Sequence, residues 1–235
     1  VLWANGLSTP KALIKDAAGD WVVTNNADNT VVKIRSGGEI VPFASGLNRP
    51  MGITSDAAGN FYVANNGDGK IIRITPAGSS SVYASGLNQP FDLRFDSAGQ
   101  LYVSCQGDDS IRKVASDGSV SLFAKSIANG PQAMRYDAAG NLHIANADGT
   151  LRKFDASGIS SQTATGLSAP RGMAIDAAGA VLVSNYSDGT IARIDGSGKT
   201  TLASGLAGPW GIAVGAGDKL LVAESTRHRL SRLNA

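Results

Sequence analysis

Six prolines, Pro10, Pro50, Pro90, Pro131, Pro170 and Pro209, follow one another at intervals of 40, 40, 41, 39 and 39 residues. A fixed period near 40 marks a repeat architecture, which has to be settled before any local structure is read. Each unit has the same parts. In the second unit, Gly52-Ile53-Thr54 leads to a D-x-x-G turn from Asp56 to Gly59. Phe61-Tyr62-Val63-Ala64-Asn65 follows, then the polar turn Gly67-Asp68-Gly69 and a third stretch, Ile71-Ile72-Arg73-Ile74. A fourth, Ser81-Val82-Tyr83-Ala84, passes through Gly86-Leu87 to the next proline. Four short apolar runs separated by Gly, Asp, Asn and Pro turns predict an antiparallel meander with no room for a helix.

The runs are apolar on both alternating faces, as Phe61/Val63 and Tyr62/Ala64 show, so each small sheet must be covered on both sides. Radial stacking of copies does this and leaves only short edges, the logic of a β-propeller. The last unit has only three strands, ending at Leu230-Ser231-Arg232-Leu233, and VLWANGL (Val1 to Leu7) aligns with VPFASGL (Val41 to Leu47), Trp3 matching Phe43. The sequence therefore predicts an all-β, six-bladed propeller of four antiparallel strands per blade. Its N-terminal strand, residues 1–7, completes the last blade as a closing seam. The single domain spans residues 1–235, with blade units near 8–47, 48–87, 88–127, 128–167, 168–206, and 207–235 joined by 1–7.

Composition suits this reading. A chain of 235 residues that is 43% hydrophobic and only 17% charged can bury a sizeable core in tightly turned sheets. A formal net charge of +2 with interspersed signs argues against nucleic acid as a partner, and no apolar run approaches the roughly 20 residues of a membrane span. One cysteine, Cys105, rules out an internal disulfide and any multi-cysteine zinc site. The start at Val1 reads as a mature or trimmed form. The small-polar composition points to a secreted or periplasmic bacterial protein, and a monomer is expected.

The phrase P-x-G-I-x-x-D-x-x-G-N-x-Y-V-A-N, Pro50 to Asn65, resembles the NHL-repeat family of six-bladed propellers, and the resemblance runs along essentially the whole chain. The segment most like that family's N-H-L core is Arg227-His228-Arg229-Leu230. The family includes protein-binding, RNA-binding and sensor domains, and more distantly streptogramin-lyase-like and lactonase-like enzymes, so the resemblance speaks for fold more than activity. The enzymes of this group imply a divalent cation on the axis, calcium or magnesium. Asp92, Glu224, Asn146 and Asn185 would offer oxygen ligands to it, and His228 would serve as base. With two histidines, no three-histidine zinc site is possible, and the paired His and Glu of the lyases are missing.

Features present in every blade have structural explanations. Asp16, Asp56, Asp96, Asp137 and Asp176 open D-x-x-G turns, where a short carboxylate accepts backbone N–H groups. The basic residue of the third strand (Lys33, Arg73, Lys113, Lys153, Arg193, Arg232) covers apolar surface or pairs with an aspartate, and His143 packs in the sheet. Function is sought where copies differ, on the loop face shared by the strand-two to strand-three turns and the interblade links. The residue after each proline is Lys11, Met51, Phe91, Gln132, Arg171 and Trp210; the next is Ala or Gly except at Asp92. The second strand ends in Asn25, Asn65, Cys105, Asn146, Asn185 and Glu224. These positions predict a rim of Lys11, Arg171, Trp210, Glu224 and His228, with Phe91, Asp92, Cys105 and Gln132 across from it.

Two functions fit. A non-catalytic binding or scaffold propeller would offer these loop-face residues to a small ligand, peptide, glycan or partner protein. The alternative is a metal-assisted lyase or lactonase-like hydrolase, with His228 and Glu224 as catalytic candidates and Asp92 and Glu224 as metal candidates. The absence of a catalytic motif favours binding over enzyme.

Overall fold

The computed structural model describes residues 2–125, 130–155, 158–215 and 219–233, apart from the side chains of Leu2 and Trp3. The matching of Trp3 to Phe43 therefore lies outside the described residues. Strand β1 (Leu2–Asn5) precedes the first blade, β2 (Pro10–Lys15), β3 (Trp21–Asn25), β4 (Thr30–Ile34) and β5 (Ile40–Ala44). The second is β6 (Pro50–Ser55), β7 (Phe61–Asn65), β8 (Lys70–Ile74) and β9 (Ser80–Ala84). The third is β10 (Pro90–Phe95), β11 (Leu101–Cys105), β12 (Ser110–Val114) and β13 (Val120–Lys125). The fourth is β14 (Pro131–Tyr136), β15 (Leu142–Asn146), β16 (Leu151–Phe154) and β17 (Ser160–Ala164). The fifth is β18 (Pro170–Ile175), β19 (Val181–Asn185), β20 (Thr190–Asp195) and β21 (Gly198–Ala203). The sixth contributes β22 (Pro209–Val214), β23 (Leu220–Glu224) and β24 (Arg229–Leu233).

Every sheet is a four-stranded antiparallel meander, and the sixth has the order β1-β24-β23-β22. The N-terminal strand closes the ring without a covalent link. Leu2 pairs with Ser231, Ala4 with Leu230 and Asn5 with Arg229. Buried Ala4 and Leu7 join a core cluster with Leu221, Ala223 and Leu230 of blade six and Leu13, Trp21 and Val23 of blade one. The seam is thus sealed by the same interblade packing found elsewhere, such as Val22 and Val31 of blade one against Ile53, Phe61 and Val63 of blade two. Each fully buried aliphatic or aromatic side chain here contributes roughly 1.5–3 kcal/mol.

Second strands are buried throughout, because both their faces meet a neighbouring blade. First strands line the axis, β2 touching both β6 and β22. Their backbones come so close that small residues are required two places after the proline. A Cβ at Gly52 would lie 2.7 Å from the Phe91 carbonyl oxygen, and one at Gly211 2.3 Å from that of Lys11. This contact explains the Ala/Gly preference there and makes Asp92 a true exception.

Hydroxyls add staples between neighbouring blades at every second junction. Thr24 Oγ1 donates to the Met51 carbonyl at 2.7 Å, Ser104 Oγ to that of Gln132 at 2.9 Å, and Ser184 Oγ to that of Trp210. Each acceptor is the residue after a repeat proline, so these staples fix the backbone that carries the variable side chains.

Candidate functional site

The residues after the prolines converge at the loop-face mouth of the channel. Lys11 is 7% exposed, and its Nζ lies 3.3 Å from the centroid of the Trp210 ring. Arg171 places its guanidinium carbon 4.9 Å from the same ring, 5.8 Å from Tyr186 and 6.0 Å from Phe91. Phe91 and Trp210 stack at 6.0 Å, and Tyr186 meets Trp210 edge-on at 5.3 Å. Gln132, 2% exposed, accepts a hydrogen bond from Arg171 Nη1 at 2.6 Å. Met51 completes the lining. Residues expected on opposite sides of the rim thus form one cluster, because the channel is narrow: its remaining cavity is about 20 Å³, room for about one water. A ligand would rest on this floor rather than enter the ring.

The electrostatics are one-sided. Burial, then the charges of Arg171 and Arg49, push the Lys11 amine from its ordinary 10.5 down to about 8. Burial also lowers the Arg171 guanidinium. Among the described residues Lys11 has no carboxylate partner, and the buried Nε of Arg171 has no hydrogen-bond acceptor. The faces of Trp210, Phe91 and Tyr186 are what these two cations have in place of an anion.

Among the described residues Asp92 is the only acid lining this cavity, and it lies deeper. It is 5% exposed, 3.0 Å from Arg94 and 3.6 Å from Arg135. Its oxygens also accept the backbone N–H groups of Leu93 and Met134, each at 2.9 Å. Burial pushes this carboxyl up, and the Arg94 charge pulls against it. The donor set does not suit a divalent cation on the axis. One carboxylate, engaged by two arginines and two amides, shares the channel with Lys11, Arg94, Arg135 and Arg171, and hard cations need several oxygen ligands. Among the described residues no group of three or more His, Cys, Asp or Glu side chains is placed to hold a metal.

Glu224 and His228 do not join the mouth. Glu224 is fully buried inside blade six, where Oε2 accepts the Ala207 N–H at 2.8 Å and Oε1 accepts from Arg229 Nε at 2.7 Å and from the Ser231 hydroxyl. Burial would raise its carboxyl, but the Ser231 hydroxyl, the Ala207 amide and Arg229 together hold it below the ordinary value. Asn25, Asn65 and Asn185 accept the matching link N–H of Ser8, Asn48 and Ser168. Glu224 is the blade-six form of that anchor.

His228 stands at φ 54°, and its Nδ1 accepts the Thr9 N–H at 3.1 Å. Asn29, at φ 60°, does the same for Arg49, and Asp109, at φ 51°, for Gly130. Both departures of blade six therefore serve loop anchoring at the seam. Cys105 is fully buried, and burial, followed by the Asp108 charge, pushes its thiol up to about 12, leaving it inert as a nucleophile.

Sequence reasoning passed over Tyr186, Arg94 and Arg135. A signal existed for each. Tyr186 breaks the series Asn26, Asn66, Gln106, Ala147, Tyr186, Ser225 just after strand two, and four residues after the proline only blades three and four carry arginine.

The fold and site define the class: a six-bladed β-propeller with a cationic, aromatic mouth. The NHL-repeat family model matches residues 206–233, the sixth-blade segment that includes His228. The family match and the six-bladed fold agree with the resemblance carried by the repeated phrase. No curated protein matches it in sequence. It superposes on virginiamycin B lyase from Staphylococcus aureus at TM-score 0.78 and 20% identity, over 96% of this chain and 81% of the lyase. A gluconolactonase from Xanthomonas campestris gives TM-score 0.86 at 15% identity, over 99% and 88% of the two chains. The PQQ-bound aldose sugar dehydrogenase from Streptomyces coelicolor gives 0.82 at 16%, over 100% and 96%. At these identities the likeness is one of fold.

Proposed function

We propose that this protein is a binding propeller whose loop face takes a small ligand bearing a carboxylate or phosphate on a flat apolar body. One observation carries the reading: Lys11 and Arg171 share a partly desolvated aromatic floor with no carboxylate between them. Cations removed from water interact strongly with an incoming anion, and the planar guanidinium fits carboxylate or phosphate in a two-point contact. Trp210, Phe91 and Tyr186 offer ring surface to the apolar part. The alternative, a metal-assisted lyase or hydrolase, has its support in the names of the structural neighbours. Against it stand the arginine-engaged Asp92 and the seam roles of Glu224 and His228.

Calorimetric titration with benzoate and with its neutral analogue benzamide tests the proposal. Benzoate is expected to bind saturably and benzamide roughly tenfold or more weakly, with Arg171→Ala removing the difference. Benzoate affinity should also fall as pH rises through about 8, where Lys11 loses its proton, and this dependence should vanish in Lys11→Met. Equal binding of benzamide, or an Arg171→Ala protein that binds benzoate as the parent does, would refute it.

A further inference from the structure

We infer that a second site, for an alkylammonium cation, lies between blades three and four at the opposite end of the ring. A pocket of about 460 Å³ there is walled by Tyr102, Phe123, Tyr136 and Phe154, with Asp96, Asp137 and Asp155 at its edge. Tyr102 meets Phe123 edge-on at 5.0 Å and Tyr136 at 6.0 Å, so the rings form adjoining walls rather than a stack. Among the described residues no lysine or arginine lines it. Aromatic faces combined with net negative charge are what an organic cation binds.

The repeat supplies two internal references. In the groove between blades one and two the equivalent pocket, of about 400 Å³, carries the protein's own ammonium groups, Lys15 and Lys33, in its wall. Lys33 Nζ sits 4.4 Å from the Phe43 centroid, 5.6 Å from Phe61 and 2.9 Å from Asp16. Phe123 and Asp96 hold the positions of Phe43 and Asp16 in the repeat, yet Lys113, the counterpart of Lys33, does not line the pocket. Between blades two and three the same ring triad recurs as Tyr62, Tyr83 and Phe95, with Tyr62 5.1 Å from Phe95. There the Tyr83 hydroxyl donates to the Ala115 carbonyl at 3.0 Å and ties the groove shut. In the third groove Phe123 replaces Tyr83 and has no hydroxyl to tie, and Asp155 replaces Ala115. Phe123 is left 38% exposed, one of the few large apolar side chains on the surface. The third groove therefore keeps the phenylalanine and aspartate of the first without a lining lysine, and the rings of the second without their latch.

A methylated ammonium suits the cage best. The Asp96, Asp137 and Asp155 oxygens already accept turn amides, and Asp137 also meets the Asn141 and His143 side chains, so the pocket offers charge and ring faces more than free acceptors. The site owes nothing to the Lys11 mouth, and the two proposals fail separately.

The test is a titration of the full chain with choline and with 3,3-dimethylbutan-1-ol, its neutral isostere, followed by NMR shifts of the Tyr102 and Phe123 rings. N-acetyl-lysine and N-acetyl-trimethyllysine amides in parallel arms distinguish a free ammonium compound from a protein side chain as the source. Saturable binding of choline or a lysine amide, with the isostere roughly tenfold weaker, is the expected result. Phe123→Leu keeps apolar volume but removes a ring face, and it should weaken the cation by a similar factor while Arg171→Ala leaves it unchanged. The inference is overturned if no ammonium compound saturates, if the isostere binds as well, or if Phe123→Leu binds like the parent.

Discussion

The two ends of the ring are built from the same repeat yet carry charge in opposite ways. At the turn end, aspartates recur in nearly every blade and are engaged locally: Asp16 by the Asp20 N–H and Lys33, Asp176 by the Ala180 N–H and Arg193. At the loop end, Lys11 and Arg171 occur once each, and among the described residues neither has a carboxylate to pair with. A charge that repeats has its partner within the repeat, because each blade must fold with the same contacts. Lys11 and Arg171 break the repeat and have no such partner supplied, unlike Asp92 and Glu224, which pair with Arg94 and Arg229 of their own blades. Their neighbours are whatever the other blades bring to the axis.

The harshest way to break the comparison is to open the ring. Removing residues 1–7 strips β1, exposes the β24 edge and takes buried Ala4 and Leu7 from the seam cluster. The expected loss is about 5 kcal/mol or more, comparable with the whole stability of many domains, and it should abolish benzoate and choline binding together. Urea unfolding checks it. A truncated chain with the parent midpoint would mean that the two ends do not depend on a closed ring.

A gentler test acts on the loop end alone. The Lys11 amine titrates near 8 in the folded protein and near its ordinary 10.5 when unfolded. Between those values the unfolded chain holds a proton that the folded chain has released, so stability should rise with pH across this window. The gain is about 3 kcal/mol at most, and Lys11→Met should remove it while stabilising the protein near neutral pH. The strain is then a property of the mouth: a cation kept in a place that costs stability. Denaturation midpoints of parent and Lys11→Met between pH 7 and pH 10.5 decide this; parallel profiles would mean that Lys11 is not desolvated.

Blade number, strand number and seam were all legible in the sequence, because a 40-residue period and a matching terminal segment leave one way to cover every sheet. The cluster at the mouth was legible in part. The position after each proline changes in every blade, and the structure turns those side chains to the axis. Glu224 and His228 looked equally distinctive, yet they anchor links at the seam. A difference between copies signals only that local demands differ, and closing a ring with a separate strand is one such demand. Asp92 was visible, whereas its pairing with Arg135 was not, since that contact crosses from β10 to β14 and depends on how two inner strands meet.

The mildest prediction separates seam from site. In blade one, Asn29 holds at φ 60° the place that His228 holds at φ 54°, and each accepts a link amide through its side chain. Asn tolerates this left-handed backbone better than most residues and caps with its own oxygen. His228→Asn should therefore leave stability within about 0.5 kcal/mol of the parent and leave benzoate affinity unchanged. A protein equally stable but severalfold weaker for benzoate would place the imidazole in the ligand's reach and move blade six from the seam back into the site.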